Sequence, residues 1–301
     1  MAVKALGSNY FLHDDFPLGI RRVDKFQNIS HADDLTEIEH YHDFTEIAFI
    51  VKGKGTQVIE EQEYAVSAGD VFVLQGHQKH FFKDTEGVEI VNVMYSDRKN
   101  NPLISNEVRL LEGYRALFFL ESQYRAWHHF KNKLHLVRSE LAKIEILLNS
   151  MILEFNKQQE GYRLILKNRL EELIILLSRH YSSLDATEAK ALVRIGKVID
   201  FMELNFADKI YLDELADMAF MSTRNFQRIF KKAVGSSPSN YLMQIRLQKS
   251  RKLLRETDLS VSEIAGDTGF GDGNYFIKCF KKENGITPVK FRMRYSGRNK
   301  D

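Results

Sequence analysis

Four side chains in the first third of the chain have the types and spacing for site chemistry: His40, His42, Glu46 and, further on, His80. In the run His40-Tyr-His42-Asp-Phe-Thr-Glu46, strand alternation puts His40 and His42 on one face, and the Glu46 side chain can share it. Three imidazoles and a carboxylate could ligate divalent Zn, Mn or Fe. They could equally hydrogen-bond a small polar molecule, and a sugar suits such groups, because paired donors and acceptors beside an aromatic wall satisfy adjacent hydroxyls. Residue types and spacing leave both chemistries open for His40, His42, Glu46 and His80. Some of these groups could instead only hold the ends of their strands together, and His40 is the first candidate for that role.

A different chemistry is concentrated in the last 100 residues. Leu212-Asp-Glu-Leu-Ala216-Asp-Met-Ala219 aligns with Val261-Ser-Glu-Ile-Ala265-Gly-Asp-Thr268 at an offset of 49, and Phe226, Phe230-Lys-Lys232, Gly235 and Pro238 align with Phe276, Phe280-Lys-Lys282, Gly285 and Pro288 at an offset of 50. Each unit reads as a short helix, a tight turn, a longer helix with apolar residues four apart, then a Gly stop and a Pro at the next helix start. That is a helix-turn-helix, whose second helix presents its outer face to the major groove of DNA. With Phe226, Phe230, Phe276 and Phe280 inward, the outward positions are Ser222, Thr223, Arg224, Asn225, Gln227, Arg228 and Lys231, and then Asp272, Asn274, Tyr275, Lys278 and Lys281. Arg and Lys pair with guanine edges, Asn and Gln with adenine, and hydroxyls and ammonium groups hold phosphates. A helix from about Ser237 to Glu256, some 20 residues and about 30 Å long, joins the units; successive major-groove segments lie about 34 Å apart. Ser260 and Glu263 form a capping box at the second unit, whereas Tyr211 takes that place in the first.

The elements that must position the first group are strands. Between about Arg21 and Met94 the chain reads as short extended runs, Thr45 to Val51, Thr56 to Ile59, Glu63 to Val66, Val71 to Leu74, His80 to Lys83 and Val88 to Tyr95, separated by turns such as Lys52-Gly53-Lys54-Gly55 and Ala68-Gly69-Asp70. Such spacing predicts a β-sandwich or barrel. From Val137 to Tyr181 the period becomes helical, with one stripe through Leu141, Ile144, Leu148, Met151, Ile152 and Phe155 and a second, after Gly161, through Leu166, Leu170, Leu173, Ile174 and Leu177. Trp127 with His128-His129 precedes them and reads as surface. Ser182 to Glu188 reads as a linker.

The carboxy-terminal 100 residues, Ile195 to Tyr295, resemble the AraC/XylS family of bacterial transcription regulators, through Thr268-Gly-Phe270, Asn274-Tyr-Phe276, Phe280-Lys-Lys282, Gly285-Ile-Thr-Pro288 and Phe291-Arg292. Two departures are Gly273, where the family has Ser or Pro, and Phe220-Met221 in place of the commoner Gly-Leu of the first turn. The amino-terminal pattern, His40, His42, Glu46 and Gly53 followed by Gly69-Asp70 and His80, resembles the two cupin motifs, although Gln75, His77 and Asp84 depart from the second. The order of segments is most similar to the rhamnose-responsive subgroup. The resemblance implies an α+β multidomain chain: a cupin-like β-barrel sensor (residues 1–100), a helical dimerisation pair with linker (101–187), and an all-α carboxy-terminal domain with two helix-turn-helix units (188–301). It also implies an effector held in the barrel by His42, Glu46 and His80, with no metal, no other cofactor and no catalytic residue, and an activator whose partners are double-stranded DNA, a small sugar-like effector, RNA polymerase and a second copy of itself.

Composition agrees with this division. The chain has 301 residues, 44% hydrophobic and 28% charged, with no apolar run near the roughly 18 residues that cross a bilayer. A single cysteine, Cys279, permits no internal disulfide, and a reducing cytoplasm is the default setting. Residues 188–301 carry 21 Lys/Arg against 14 Asp/Glu, or +7, while residues 1–187 carry 22 against 27, or −5. All ten histidines fall in the acidic part. A basic end favours polyanions. Two rivals remain: a metal-dependent cupin enzyme carrying a DNA-binding domain, and a DNA-binding protein whose barrel is purely structural.

Overall fold

The structure, a computed structural model, describes residues 2–24, 36–97, 102–120, 134–185 and 187–295. Trp127, His128 and His129 lie outside these residues. The chain divides into two compact units, Met1–Val193 and Arg194–Asp301.

The first unit is built on an eight-stranded mixed sheet: β1 (Val3–Lys4), β2 (Leu18–Asp24), β3 (His40–Tyr41), β4 (Thr45–Ile59), β5 (Gln62–Ser67), β6 (Asp70–Leu74), β7 (His80–Tyr95) and β8 (Leu134–His135). β4 and β7 are the frame. They pair with each other along their whole length, β6 joins the first half of β4, β5 joins the second half, and β2 joins the end of β7. The sequence suggests four strands here, broken at Lys52–Gly55 and between Lys83 and Val88; the structure has two long ones. Lys52-Gly53-Lys54-Gly55 is a run of register shifts within β4 and not a hairpin turn. Gly53 adopts φ +78°, and a Cβ there would lie 2.3 Å from the Gly87 carbonyl oxygen. A bulge increases bend and twist without ending pairing, so the glycines let both strands fold over while their ladder continues.

Register shows what folding over achieves. Glu46 stands opposite Leu74 and Met94, Ala48 opposite Phe72 and Asn92, and Ile50 opposite Ile90, so these share one face. Ala48, Ile50, Phe72, Leu74 and Ile90 join Ile59, Tyr64, Val66, Phe82 and Val88 from the other half in one buried cluster, the barrel interior. The alternate residues Ile47, Phe49, Val71, Val73, Val91 and Val93 are also fully or almost fully buried, because the outer face is covered as well. Helix α3 (Arg138–Lys157) lies against β2, and Arg22 donates to the Asn149 amide oxygen at 2.8 Å. Two short helices, α1 (Asn106–Arg109) and α2 (Glu112–Arg115), precede it, and α4 (Tyr162–Ser183) packs on both α2 and α3. The predicted stripe of α4 is wholly buried. The linker expected at Ser182–Glu188 is shorter than the sequence suggests, because α4 runs to Ser183 and α5 (Thr187–Leu204) begins four residues later.

The second unit holds the repeat as six further helices: α6 (Leu212–Met218), α7 (Thr223–Val234), α8 (Pro238–Glu256), α9 (Val261–Asp267), α10 (Gly273–Asn284) and α11 (Pro288–Tyr295). Its hydrogen bonds repeat with its sequence. The Met221 N–H donates to the Ala216 carbonyl at 3.0 Å, and the Phe270 N–H to the Ala265 carbonyl at 2.8 Å. Ser222 caps α7 through the Asn225 N–H, and Asp272 caps α10 through the Tyr275 N–H. Gly235 and Gly285 stop these helices at φ +79° and +74°, each N–H bonded to a lysine carbonyl four residues earlier. The residue inserted between the two offsets is Gly271.

Candidate nucleic-acid interface and barrel cluster

In each helix pair the short first helix approaches the longer one through a small residue: Ala216 is 1% exposed and Ala265 2%. Phe226, Phe230, Phe276 and Phe280 are fully buried, and consecutive rings meet edge to face. Burying four phenylalanines fixes the roll of α7 and α10, and therefore which side chains face out. Ser222, Arg224, Gln227, Arg228 and Lys231 are exposed at the first unit, with Thr223 and Asn225 half-buried; Asp272, Asn274, Tyr275, Lys278 and Lys281 are exposed at the second. Arg228 donates to the Asn225 amide oxygen at 2.8 Å and Thr223 to Asp213 at 3.0 Å, so part of the first surface is ordered without a ligand. α7 carries Arg224, Arg228, Lys231 and Lys232 and no acidic residue. Basic side chains, amides and a capped helix start on one exposed face can hold phosphates and read base edges together.

The turn of the first unit contains a feature absent from its sequence pattern. Phe220 has φ +54°, at the position where the second unit has Gly269 at φ +77°. A non-glycine residue there costs about 1–2 kcal/mol, and Phe220 is 79% exposed with the Arg194 guanidinium 5.2 Å from its ring centre.

In the first unit, β3, the residue that follows it (His42), the start of β4 and the start of β7 bring His40, His42, Glu46 and His80 together at one end of the barrel. All four are buried, 7%, 1%, 5% and 2% exposed. Each histidine is oriented the same way. Nδ1 lies 2.8 Å from the Ile38 carbonyl oxygen for His40, 2.8 Å from that of Phe44 for His42, and 2.9 Å from that of Gln78 for His80. A carbonyl oxygen only accepts, so each Nδ1 carries a proton. Glu46 Oε2 lies 3.4 Å from His42 Nε2 and 3.9 Å from His80 Nε2. Burial pushes the Glu46 carboxyl up, but the His42 contact and the nearby imidazoles outweigh it and hold it down at about 2. Burial dominates for His80 and holds it down at about 3, against the attraction of Glu46. At neutral pH a buried carboxylate therefore faces a neutral imidazole.

The sequence did not single out two further strand residues with buried, unpaired amide atoms, Gln57 and the half-buried Asn92. Gln57 is fully buried, with neither amide atom hydrogen-bonded, beside Tyr64 and Phe82; Asn92 has an unpaired buried amide oxygen opposite Ala48. Both sit in runs whose alternation reads as ordinary strand. A pocket of about 280 Å³ lies on the opposite face of the sheet from Glu46, lined by residues that include Thr45, Gln75, Tyr95, Asp97, Arg109 and Tyr114.

A ligand-holding barrel followed by a duplicated basic helix-turn-helix defines a DNA-binding regulator with a separate sensing domain. Comparison with known proteins agrees. Residues 215–294 match the helix-turn-helix domain family and residues 29–92 the AraC-like ligand binding domain family. The chain is 30% identical over 288 residues to the HTH-type transcriptional activator RhaS of Escherichia coli O157:H7 (strain EC4115 / EHEC), covering 94% of this chain and 96% of the relative, and equally similar to RhaS of Shigella sonnei (strain Ss046). Among solved structures, an AraC-type regulator from Chromobacterium violaceum matches at 28% identity over 35% of this chain and 95% of its own, with a TM-score of 0.33. The chain belongs to the AraC family of transcription regulators.

Proposed function

We propose that the chain is a sugar-responsive transcription activator acting in the cytoplasm and not an enzyme. The observation that carries the reading is the pair of exposed basic helices, α7 and α10, held by one repeated framework of cap, turn and glycine stop. The residues Ser222, Thr223, Arg224, Asn225, Gln227, Arg228 and Lys231 read one major-groove segment, and Asp272, Asn274, Tyr275, Lys278 and Lys281 the next. α8 has 19 residues and spans about 28 Å, a stiff spacer of the right order for two grooves on one DNA face. The effector is sensed through His40, His42, Glu46 and His80. It acts by its differential affinity for two arrangements of the chain. The chain works as a homodimer through α3 and α4, which leave Ile146 at 72%, Leu153 at 58% and Leu164 at 65% exposed beyond their buried stripes. RNA polymerase is contacted from the bound dimer.

The test is a titration of promoter fragments from genes adjoining this one by the full chain, with and without millimolar monosaccharides. One sugar is expected to change the affinity by about 5-fold or more, a coupling of about 1 kcal/mol, and to raise the melting temperature. Affinity and melting temperature unmoved by every sugar would leave a ligand-independent DNA-binding protein.

A further inference from the structure

We propose that the pocket on the outer face of the sheet is a binding site for one neutral, polyhydroxylated small molecule, separate from the buried quartet. Its volume is about 280 Å³, close to the lower end of small-molecule pockets, about 300 Å³. Thr45 of β4, Gln75 after β6 and Ser96 after β7 line it from the sheet, and Arg109 of α1 and Tyr114 of α2 line it from the helices. Tyr114 carries the argument. It is 3% exposed, with its ring stacked on Phe118 and edge-on to Phe119. Burial raises its pKa, so it is a neutral phenol. Among the described residues its hydroxyl makes no hydrogen bond, although an unpaired polar group in so buried a residue is costly. A molecule in the pocket supplies the missing partner.

The other lining groups set the class of ligand. The Ser96 hydroxyl is also without a partner among the described residues. Arg109 donates Nη2–H to Asp97 and Nε–H to the Ile104 carbonyl oxygen, which leaves Nη1. Thr45 reaches Gln75 Oε1 only at 3.4 Å, longer than an ordinary hydroxyl hydrogen bond. Hydroxyls that both donate and accept, beside a spare guanidinium donor and an amide oxygen, match the adjacent hydroxyls of a polyol. Charge disfavours ions. Both carboxylates of the lining are already paired, Asp43 with Lys4 at 3.6 Å and Asp97 with Arg109, so a cation finds no free counter-charge and an anion meets more carboxylate than guanidinium. The pocket also touches the elements that matter. Phe44 lines it, and the same ring is stacked 4.1 Å from His42 of the quartet. α1 and α2 rest on α4, where the Ser105 N–H donates to Glu171 at 2.6 Å. A molecule held by both walls therefore ties α4 to the strands that carry the quartet. That this molecule is the effector rests on the sugar-responsive reading above, whereas the site rests on the pocket alone.

The experiment is calorimetric titration of the full chain with L-rhamnose, D-xylose, D-glucose and myo-inositol, and with D-gluconate as an anionic counterpart. Saturable binding of at least one neutral compound at millimolar concentration is expected, and none of gluconate. Tyr114→Phe and Ser96→Ala each remove one hydroxyl and should weaken that binding about 10-fold. Glu61→Gln, at the exposed β4–β5 turn, should bind as the parent does. Melting temperatures of the unliganded variants check folding, and Ser96→Ala, at a half-buried position, keeps the test valid if Tyr114→Phe unfolds. Binding of none of the four neutral compounds overturns the site. So does binding that both hydroxyl variants keep and Glu46→Gln loses, which puts the molecule in the barrel. The promoter titration repeated with the bound compound separates the two readings. A compound that shifts promoter affinity in the parent and in both hydroxyl variants alike removes the pocket and leaves the sensor; one that needs both hydroxyls but never moves promoter affinity leaves the pocket and defeats the sensor.

Discussion

At the residue scale, the buried quartet makes the sensing unit acid-sensitive. His80 takes its proton near 6.5 when unfolded but is held down at about 3 in the fold, and Glu46 is held at about 2 against an ordinary 4.5. Between each pair of values the unfolded chain binds more protons, so both contributions lower stability as pH falls. The His80 part begins to be lost below pH 6.5 and the Glu46 part below 4.5. Melts of chelator-treated protein should show the first unit's midpoint falling steadily from pH 7 to 4, and His80→Gln should flatten the limb above pH 5. A midpoint flat from pH 7 to 5 would mean that His80 takes up its proton equally in the folded and unfolded chain. Whereas His80 was joined to the others only through the resemblance to the two cupin motifs, the grouping of His40, His42 and Glu46 was legible because alternation can put them on one face. The shared tautomer was not, because it is set by the carbonyls of Ile38, Phe44 and Gln78, which every residue possesses. Gln57 and Asn92 were invisible for a related reason: a polar residue in a strand normally faces water, and only a sheet covered on both faces buries it.

At the scale of elements, the same glycine signal has two meanings. Gly235 and Gly285 follow apolar stripes of helical period and end their helices as expected, with φ near +75°. Lys52-Gly53-Lys54-Gly55 lies between two strand-like runs, which is also how a hairpin turn reads. The distinction comes from partners distant in sequence: β7 bends at Gly87 beside Gly53, so pairing continues across the bend. Two substitutions test this account. Gly53→Ala puts a Cβ 2.3 Å from a backbone oxygen at φ +78°, and the clash with backbone should cost more than about 2 kcal/mol. Gly161→Ala, at φ +84° but with open space around it, should cost about 1–2 kcal/mol, the backbone strain alone. Equal losses in denaturant melts would show that the strands do not meet closely at Gly53. The turn of the first helix-turn-helix adds a case where sequence marked the departure but not its form, since Phe220 keeps the left-handed backbone of Gly269.

At the scale of the whole molecule, two compact units divide along the same line as charge and histidine content: an acidic, histidine-bearing sensor and a basic reader. Among the described residues no helix is long and apolar enough to cross a membrane. The repeat made the reader legible in detail, because two independent copies must each satisfy the same caps and small-residue contacts. Sensor chemistry was legible only in outline, since a barrel end is assembled from three strands whose register no local pattern fixes. The central claim is that α7 and α10 both enter the major groove of one duplex. Methylation-protection footprinting of the full chain on its promoter tests it most directly, with Arg228→Ala and Lys281→Ala alongside. The account predicts that each protomer protects two major-groove segments one helical turn apart; Arg228→Ala loses contacts in one segment and about 1–3 kcal/mol of affinity, and Lys281→Ala weakens binding with a shallower salt slope. Protection of a single groove segment per protomer, left unchanged by both substitutions, would contradict it.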